Sequence, residues 1–274
     1  MTGASGQLGR ALLLALGRHD VVAPLESEAD ITDPAIVDRI VTAKPHAVIH
    51  AAAYTDVDRA EAHPETAFLV NAVGSRQVAQ GAAKAGARVI AVSTDYVYDG
   101  TKRGAWVESD PVAPLGVYGA SKLEGEREVL KADPAAVILR TAWLYGEGKN
   151  FVRTMLRLAS EQDELRVVDD QVGSPTSAVD LAGAIAALLE IKCAGVYHAV
   201  NAGSCSWYGF AQEILGQAGL DRRIVPIRST DLARPARRPA NSVLDCSKLA
   251  ALGVRLRPWR EALAEYLRSL QRSA

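Results

Sequence analysis

The feature that most restricts the fold of this chain is a glycine-rich turn at its start. Gly3, Gly6 and Gly9 lead directly into an apolar segment, residues 8–16, which predicts a helix that ends near Gly17. Glycines before a helix let backbone N–H groups approach a phosphate, and the helix N-terminus adds partial positive charge. The spacing is G-x-x-G-x-x-G rather than the dinucleotide fingerprint G-x-G-x-x-G, so a plain strand-to-helix turn is the alternative. We favour a nucleotide-binding loop.

The segment before this loop is short. A dinucleotide-binding unit needs a buried parallel strand immediately before its glycines, and here only Met1 and Thr2 precede them. We therefore expect a truncated first strand, either because the start codon was assigned too late or because the chain was shortened. A short second strand is expected at residues 21–23, followed by Glu26, whose charge would disfavour a 2′-phosphate. The register of Glu26 is open, so NAD and NADP both stay open.

Beyond this point, strand-like apolar runs alternate with helical segments. Residues 46–51, 88–93 and 135–139 predict buried parallel strands. Alternation of this kind predicts an α/β fold, a Rossmann-type doubly wound parallel sheet. The irregular remainder predicts a smaller C-terminal substrate-binding lobe. We expect residues 1–145 to form mainly the NAD(P)-binding domain and residues 146–274 mainly the lobe, with some chain exchanged between the two.

The composition restricts the partners and the compartment. The 274 residues carry a net charge of −1, so no global basic field recruits nucleic acid or an anionic membrane. No apolar run approaches the ~18–20 residues that a transmembrane helix needs. The cysteines are sparse and are not in metal-ligand spacing, which suits a reducing cytoplasm with free thiols. We expect a cytoplasmic protein with no metal site and no nucleic-acid or membrane partner.

Tyr118 and Lys122 form a candidate catalytic pair. They are four residues apart within a segment, residues 118–131, that predicts a helix, so both side chains emerge on one face. A close ammonium lowers the pKa of a phenol and so suits it to proton donation near neutral pH. The spacing alone is common, and a surface tyrosine beside a surface lysine is the alternative.

The predicted strands end in small and hydroxyl-bearing residues. Ala53 follows the first of the three runs, and Ser93 and Thr94 close the second. Ligands in open α/β sheets bind at the carboxyl ends of strands, so we expect Ser93 or Thr94 to donate to a substrate carbonyl. A hydroxyl there is also a common strand terminator. Asn71, in a helix expected after Pro64, either bonds locally or orders a water near the site.

These parts, taken in order, resemble the extended branch of the short-chain dehydrogenase/reductase superfamily, and within it the dTDP-4-dehydrorhamnose reductase family. The resemblance covers nearly the whole chain and departs from the family at the first strand and at Leu25, where an acidic ribose ligand often sits. It is carried by residues 2–9, 51–58, 93–97, 118–122, 140–145 and 172–176.

The resemblance implies a cofactor and a set of site residues. Hydride would pass from NADPH or NADH to C4 of a dTDP-4-keto sugar, with Tyr118 as proton donor. Lys122 would hold the nicotinamide ribose and lower the pKa of the phenol, and Thr94 would polarise the carbonyl. Thr94, Asp95 and Trp143 would contact the sugar. The residues implied to contact the cofactor are Gly3, Gly6, Gln7, Leu8, Gly9, Asp30, Ile31, Ala53, Thr55, Tyr118 and Lys122.

The implied reaction is reduction of dTDP-4-dehydro-L-rhamnose to dTDP-L-rhamnose, a precursor for surface polysaccharide. By resemblance alone, a homodimer and a use of Mg²⁺ are also implied. Two alternatives stay open. One is a non-catalytic dinucleotide-binding regulatory subunit that resembles the β-subunit of methionine adenosyltransferase. The other is a reductase or epimerase acting on a different nucleotide sugar.

Overall fold

The structure is a computed structural model that describes residues 1–272. Its α-helices are α1 (Gln7–Ala15), α2 (Ala35–Ala43), α3 (Val57–Ala62), α4 (Pro64–Phe68), α5 (Ser75–Ala85), α6 (Val117–Ala132), α7 (Phe151–Glu161), α8 (Ala178–Leu189), α9 (Trp207–Gln217), α10 (Ser247–Ala250) and α11 (Trp259–Arg272). Its strands are β1 (Ala47–His50), β2 (Arg88–Thr94), β3 (Val137–Thr141), β4 (Leu144–Tyr145), β5 (Glu164–Val168), β6 (Val172–Gly173), β7 (Thr176–Ser177), β8 (Gly195–His198), β9 (Cys205–Ser206), β10 (Arg223–Ile227) and β11 (Asn241–Ser242).

The main sheet has four parallel strands in the order β1-β2-β3-β8. Helices α1 and α8 pack on one face, around Leu12, Ile90 and Ile185. Helices α2, α5 and α6 cover the other face, around Val78 and Ile138. β3 is buried along its whole length because it is covered on both faces. The predicted Rossmann-type doubly wound sheet is confirmed.

The sheet continues beyond β1 only through Thr2. This residue forms an isolated parallel bridge with His50, so the first strand is as short as the sequence predicts. The second predicted strand, residues 21–23, is wrong because these residues join no sheet. A strand requires a ladder of hydrogen bonds, and the segment beside residues 21–23 offers only the α-ammonium of Met1, which donates to the Val22 carbonyl at 2.5 Å.

The long helix predicted after Pro64 is interrupted. Between α4 and α5 lies a π-helical turn, Leu69–Gly74, a rare element that frequently marks functional sites. Asn71 in this turn accepts from the Tyr54 N–H at 2.8 Å and donates to the Tyr54 carbonyl at 3.1 Å. Its amide also donates to Ser121 in α6 at 2.9 Å. Asn71 therefore bonds locally and ties the segment after β1 to α6.

The remaining elements form a second core. Helices α7, α9 and α11 pack around Phe210, Trp259 and Leu263, and β5 pairs with β10 beside them. The chain returns to the main sheet through α8 and β8 before it completes this core. The division of the chain at residue 145 stays a prediction. Within residues 1–272, none of the helices combines the length and the apolarity that crossing a bilayer demands.

Candidate active site

A cavity of about 590 Å³ opens where β1, β2 and β3 end. Every residue to which the resemblance gives a catalytic, cofactor or substrate role lies on its wall, so the fold gathers them at one place. These residues are Gly3, Gly6, Gln7, Leu8, Gly9, Asp30, Ile31, Ala53, Thr55, Thr94, Asp95, Tyr118, Lys122 and Trp143. Their individual roles stay predictions.

The glycine loop packs tightly against α1. A Cβ on Gly9 would lie 2.0 Å from the Gly3 carbonyl oxygen, so only glycine permits this contact. Gly6 caps the helix, and a Cβ there would meet its nearest atom at 3.4 Å. The loop therefore leaves the positive end of α1 and its free N–H groups facing an open cavity. That arrangement fits the pyrophosphate of a dinucleotide.

Two acidic residues lie farther along the cavity wall. Asp30 is held in place because its Oδ1 accepts from both the N–H and the hydroxyl of Thr32, each at 2.8 Å. Glu26 lines the same part of the cavity. A carboxylate can accept a hydrogen bond from a ribose hydroxyl, whereas it would repel a 2′-phosphate.

Tyr118 lies in the first turn of α6. Glu61 fixes the start of this helix by accepting from the Val117 N–H at 2.8 Å. The Tyr118 ring packs edge-on against Tyr96 with centroids 5.4 Å apart, and its hydroxyl is hydrogen-bonded to that of Thr94. Burial raises the pKa of Tyr118 to about 12, the hydrogen bond opposes this rise, and the nearby Asp95 adds to it.

The expected lowering of the Tyr118 pKa by Lys122 is therefore wrong for this structure. The Lys122 ammonium donates to the Val92 carbonyl at 2.8 Å, and burial lowers its own pKa to about 8. Desolvation of the phenol outweighs any attraction from this ammonium. The consequence is a Tyr118 that stays protonated at neutral pH, which suits a proton donor.

The hydroxyls of Ser93 and Thr94 serve different purposes. Ser93 donates to Glu126 at 2.5 Å beneath the cavity, whereas Thr94 bonds Tyr118 and donates to Asp95 at 3.1 Å. Of the two candidates, Thr94 is the one beside the phenol. Burial raises the pKa of the Asp95 carboxyl to about 6, against the hydrogen bonds from Ser242 and Thr94.

Trp143 forms the far wall of the cavity in a strained conformation. Its φ of 48° is left-handed, which is costly for a residue with a Cβ. Trp207 stacks on it with centroids 3.5 Å apart and an interplanar angle of 9°. A Cβ on Gly173 would lie 2.5 Å from the Trp143 ring. Both neighbours therefore restrict where this indole lies.

Four residues near the site are not predicted from the sequence. Tyr96 and Trp207 contact Tyr118 and Trp143, and only the folded chain brings them there. Glu126 follows Lys122 by four residues, so the spacing that nominates Tyr118 and Lys122 extends to it. Its partner Arg140 lies on β3, and nothing in the sequence signals that contact.

The glycine loop, the strand-end threonine and the Tyr-x-x-x-Lys pair meet on one cavity of a doubly wound sheet. This combination defines a dehydrogenase/reductase of the short-chain type, in its extended branch. The chain belongs to the family described as RmlD substrate binding domain, which matches residues 1–272.

Curated relatives match nearly the whole length of this chain. The dTDP-4-dehydrorhamnose reductase of Mycobacterium tuberculosis (strain ATCC 25618 / H37Rv) is 46% identical over 97% of this chain and 91% of its own length. The reductase of that name from Aggregatibacter actinomycetemcomitans is 43% identical over 96% of each chain. A crystal structure of dTDP-4-dehydrorhamnose reductase from Bacillus anthracis str. Ames in complex with NADP is similar with a TM-score of 0.95 and 38% identity, over 98% of this chain and 97% of that one.

The metal and oligomer expectations have no further support. Within residues 1–272, His, Cys, Asp and Glu side chains form no group of three or more that could hold a metal ion. A use of Mg²⁺ and a homodimer remain predictions from resemblance. Cys193, Cys205 and Cys246 are free thiols.

Proposed function

We propose that this chain reduces dTDP-4-dehydro-L-rhamnose to dTDP-L-rhamnose with a reduced nicotinamide dinucleotide. The observation that carries the proposal is the convergence of Thr94, Tyr118 and Lys122 with the glycine loop on one cavity. Family membership over residues 1–272 supports the proposal. Two relatives named dTDP-4-dehydrorhamnose reductase, at 46% and 43% identity, support it as well.

The cofactor that we propose is a reduced nicotinamide dinucleotide, with NADPH as the first choice because the Bacillus anthracis relative is described in complex with NADP. NADH is the alternative, because the Glu26 and Asp30 carboxylates on the cavity wall would repel a 2′-phosphate. The loop from Gly3 to Gly9, with Gln7 and Leu8, would hold the pyrophosphate at the positive end of α1. Asp30, Ile31, Ala53 and Thr55 would line the rest of its path. When bound, the reduced nicotinamide supplies the hydride.

Three side chains of this chain would then act at the sugar carbonyl and at the cofactor beside it. The Thr94 hydroxyl would donate to the carbonyl and favour negative charge on its oxygen. Tyr118, protonated because its pKa is about 12, would give its proton to the more basic alkoxide as that charge develops. The Lys122 ammonium, which lies on the same cavity wall, would contact the nicotinamide ribose.

The sugar would lie between the strand ends and the C-terminal core. Trp143 offers an aromatic surface, and Asp95 a hydrogen-bond acceptor for hydroxyl groups, on the same wall as Thr94. The product would serve polysaccharide assembly. In keeping with this, a 40% identical relative from Bacillus subtilis (strain 168) is named spore coat polysaccharide biosynthesis protein SpsK.

The test is NADPH consumption with dTDP-4-dehydro-L-rhamnose, followed by absorbance, for the wild type and Tyr118→Phe. We expect the variant to lose at least about a hundredfold in turnover because the proton donor is gone, with little change in NADPH affinity. Tyr208→Phe, on α9 and away from the cavity lining, is the matched control and should keep wild-type turnover.

Other outcomes identify the alternatives. A wild type that binds NADPH without consuming it would support a regulatory subunit. Conversion of the keto sugar with no net NADPH consumption would indicate an epimerase. Unchanged turnover in Tyr118→Phe would refute the role of this phenol.

A further inference from the structure

Helix α6 carries a buried acidic residue on the same face as the catalytic pair. Tyr118, Lys122 and Glu126 follow one another at steps of four residues, which places them on one helix face. Lys122 and Glu126 are only 6% and 5% exposed. Both border a cavity of about 10 Å³ beneath the active site, together with His50 and Ser93. The two side chains therefore border the same small cavity, although within residues 1–272 the ion pair of Glu126 is with Arg140 and the hydrogen bond of Lys122 is to Val92.

The Glu126 carboxylate is fixed in position. Arg140 binds it through two parallel hydrogen bonds, from Nε at 2.9 Å and from Nη2 at 2.6 Å, and Ser93 donates at 2.5 Å. The Arg140 guanidinium is in turn held by its bond to the Tyr98 hydroxyl at 2.7 Å. Bidentate contacts of this kind give a carboxylate a defined orientation. Glu126 is thus a preorganised negative charge one turn below Lys122.

We propose that Glu126 is a positioning residue for catalysis, the fixed anion whose negative charge stabilises the buried Lys122 ammonium that binds the dinucleotide. This inference rests on the proposed function, in which Lys122 contacts the nicotinamide ribose. Glu126 itself contacts no substrate.

The physical reason is the cost of a buried ammonium. A charge taken out of water is retained only when an opposite charge or hydrogen bonds compensate for it. The hydrogen bond from Lys122 goes to the Val92 carbonyl, which has a dipole but no net charge. Burial lowers the pKa of Lys122, whereas Glu126 acts in the opposite direction. Without this carboxylate, Lys122 would lose its proton at lower pH.

The other titratable groups around this part of α6 do not replace Glu126. His50 is neutral, since burial and the Lys122 charge lower its pKa to about 3. Arg140 carries the same charge as Lys122. Asp95 accepts a hydrogen bond from Thr94 and acts on Tyr118 rather than on Lys122. The groups concerned are His50 from β1, Arg140 from β3, Asp95 and Tyr96 from the turn after β2, Glu61 from α3, Tyr118 from α6, and Arg76 and Glu128 on the outer face of α5 and α6.

The test measures NADPH affinity against pH for the wild type, Glu126→Gln and Glu128→Gln. Glu126→Gln keeps the shape of the side chain and removes its charge. We expect wild-type affinity to fall above about pH 8 as Lys122 loses its proton, and this fall to begin about one pH unit lower in Glu126→Gln. That displacement makes NADPH binding about tenfold weaker above the transition.

Glu128→Gln is the matched control because it removes the same charge from the same helix. Glu128 lies 3.8 Å from Arg76 on the outer surface, so its pH profile should superimpose on that of the wild type. A merely structural role for Glu126 would lower stability and leave the pH profile of NADPH binding unchanged. A Glu126→Gln profile that superimposes on the wild type therefore overturns the inference.

If Glu126→Gln fails to fold, Glu126→Asp keeps the charge that Arg140 pairs with and shortens the side chain by one methylene, so the carboxylate is no longer fixed at the same distance from Lys122. A smaller displacement to lower pH is expected, and its absence refutes the role. A wild type that binds neither NADPH nor NADH at any pH overturns the proposed function and this inference together. A wild type that binds and consumes NADPH while the Glu126 variants keep its profile overturns the inference alone.

Discussion

The Lys122 ammonium donates a hydrogen bond to the Val92 carbonyl at 2.8 Å from a position almost closed to solvent. The cost of this burial is visible in its pKa, which falls to about 8. The residue proposed to hold the dinucleotide therefore destabilises the fold, as functional residues often do.

Lys122→Met should stabilise the protein and abolish its reductase activity. The folded pKa of about 8 lies below the ordinary value, so below pH 8 the folded state carries the full cost of the buried charge. As pH rises through 8 the folded state releases its proton first, and wild-type stability rises with it. At about pH 7 we expect an unfolding free energy higher by about 1–3 kcal/mol in Lys122→Met.

Urea unfolding at about pH 7 and about pH 10 checks this, because the advantage of Lys122→Met should shrink at the higher pH. Lys131→Met is the control, since its side chain is 81% exposed and surface changes stay within about 0.5 kcal/mol. A Lys122→Met protein that is less stable than the wild type at neutral pH would contradict the prediction.

His50 should make the protein sensitive to acid. Its ring bonds Thr2 at 2.7 Å and Ser75 at 2.9 Å, and burial lowers its pKa to about 3. Because the unfolded chain binds a proton near the ordinary value, the unfolded state is favoured as pH falls from about 6.5 toward 3. At about pH 4.5 the loss is about 2–3 kcal/mol relative to pH 7.

His50→Asn keeps a donor and an acceptor but does not titrate, so it should lose about 2–3 kcal/mol less than the wild type between those pH values. Denaturant unfolding at both pH values measures the difference. His19→Asn, at an exposed position, should follow the wild type. Equal acid losses in His50→Asn and the wild type would show that this histidine does not titrate on unfolding.

The parts of the site that could be predicted are those carried by short sequence motifs. The glycine loop, Thr94 at a strand end and the Tyr118–Lys122 spacing each lie within a few residues, and the fold rule for strand ends places them together. The strand at residues 21–23 could not be predicted correctly, because an apolar run becomes a strand only beside a partner. The π-helical turn around Asn71 also leaves no signal in the periodicity.

Charge states could not be predicted because they depend on tertiary packing. The Tyr118–Lys122 spacing suggests a lowered phenol pKa, yet burial dominates and raises it to about 12. The contact of Glu126 with Arg140 likewise joins α6 to β3. The sequence shows which ionisable side chains a site contains, whereas their burial and their tertiary contacts determine the protonation state of each.

Gly119→Ala, a substitution in α6, should lower both the stability of the protein and its turnover. A Cβ there would lie 2.2 Å from the Tyr96 carbonyl oxygen, a backbone atom that cannot move without shifting the turn beside Thr94. We expect a loss of about 2–4 kcal/mol in unfolding free energy, together with reduced turnover. Gly183→Ala is the matched control. No atom lies within 4 Å of its Cβ, so in mid-helix it should stabilise by about 1 kcal/mol. Equal effects of the two substitutions would exclude the close approach as the cause.

Trp207 should control how the sugar binds through its contact with Trp143. The left-handed backbone of Trp143 costs about 1–2 kcal/mol, and the parallel stack on Trp207 at 3.5 Å offsets that cost by holding the indole in place. Trp207→Ala removes the stack, so we expect KM for the keto sugar to rise about tenfold, with NADPH affinity unchanged. Trp207→Phe keeps an aromatic face and should recover most of the loss.

Steady-state kinetics with either substrate varied, together with NADPH titrations, separate an effect on sugar binding from an effect on cofactor binding. Weaker NADPH binding in Trp207→Ala, or an unchanged KM for the sugar, would show that the stack does not order the sugar-binding wall.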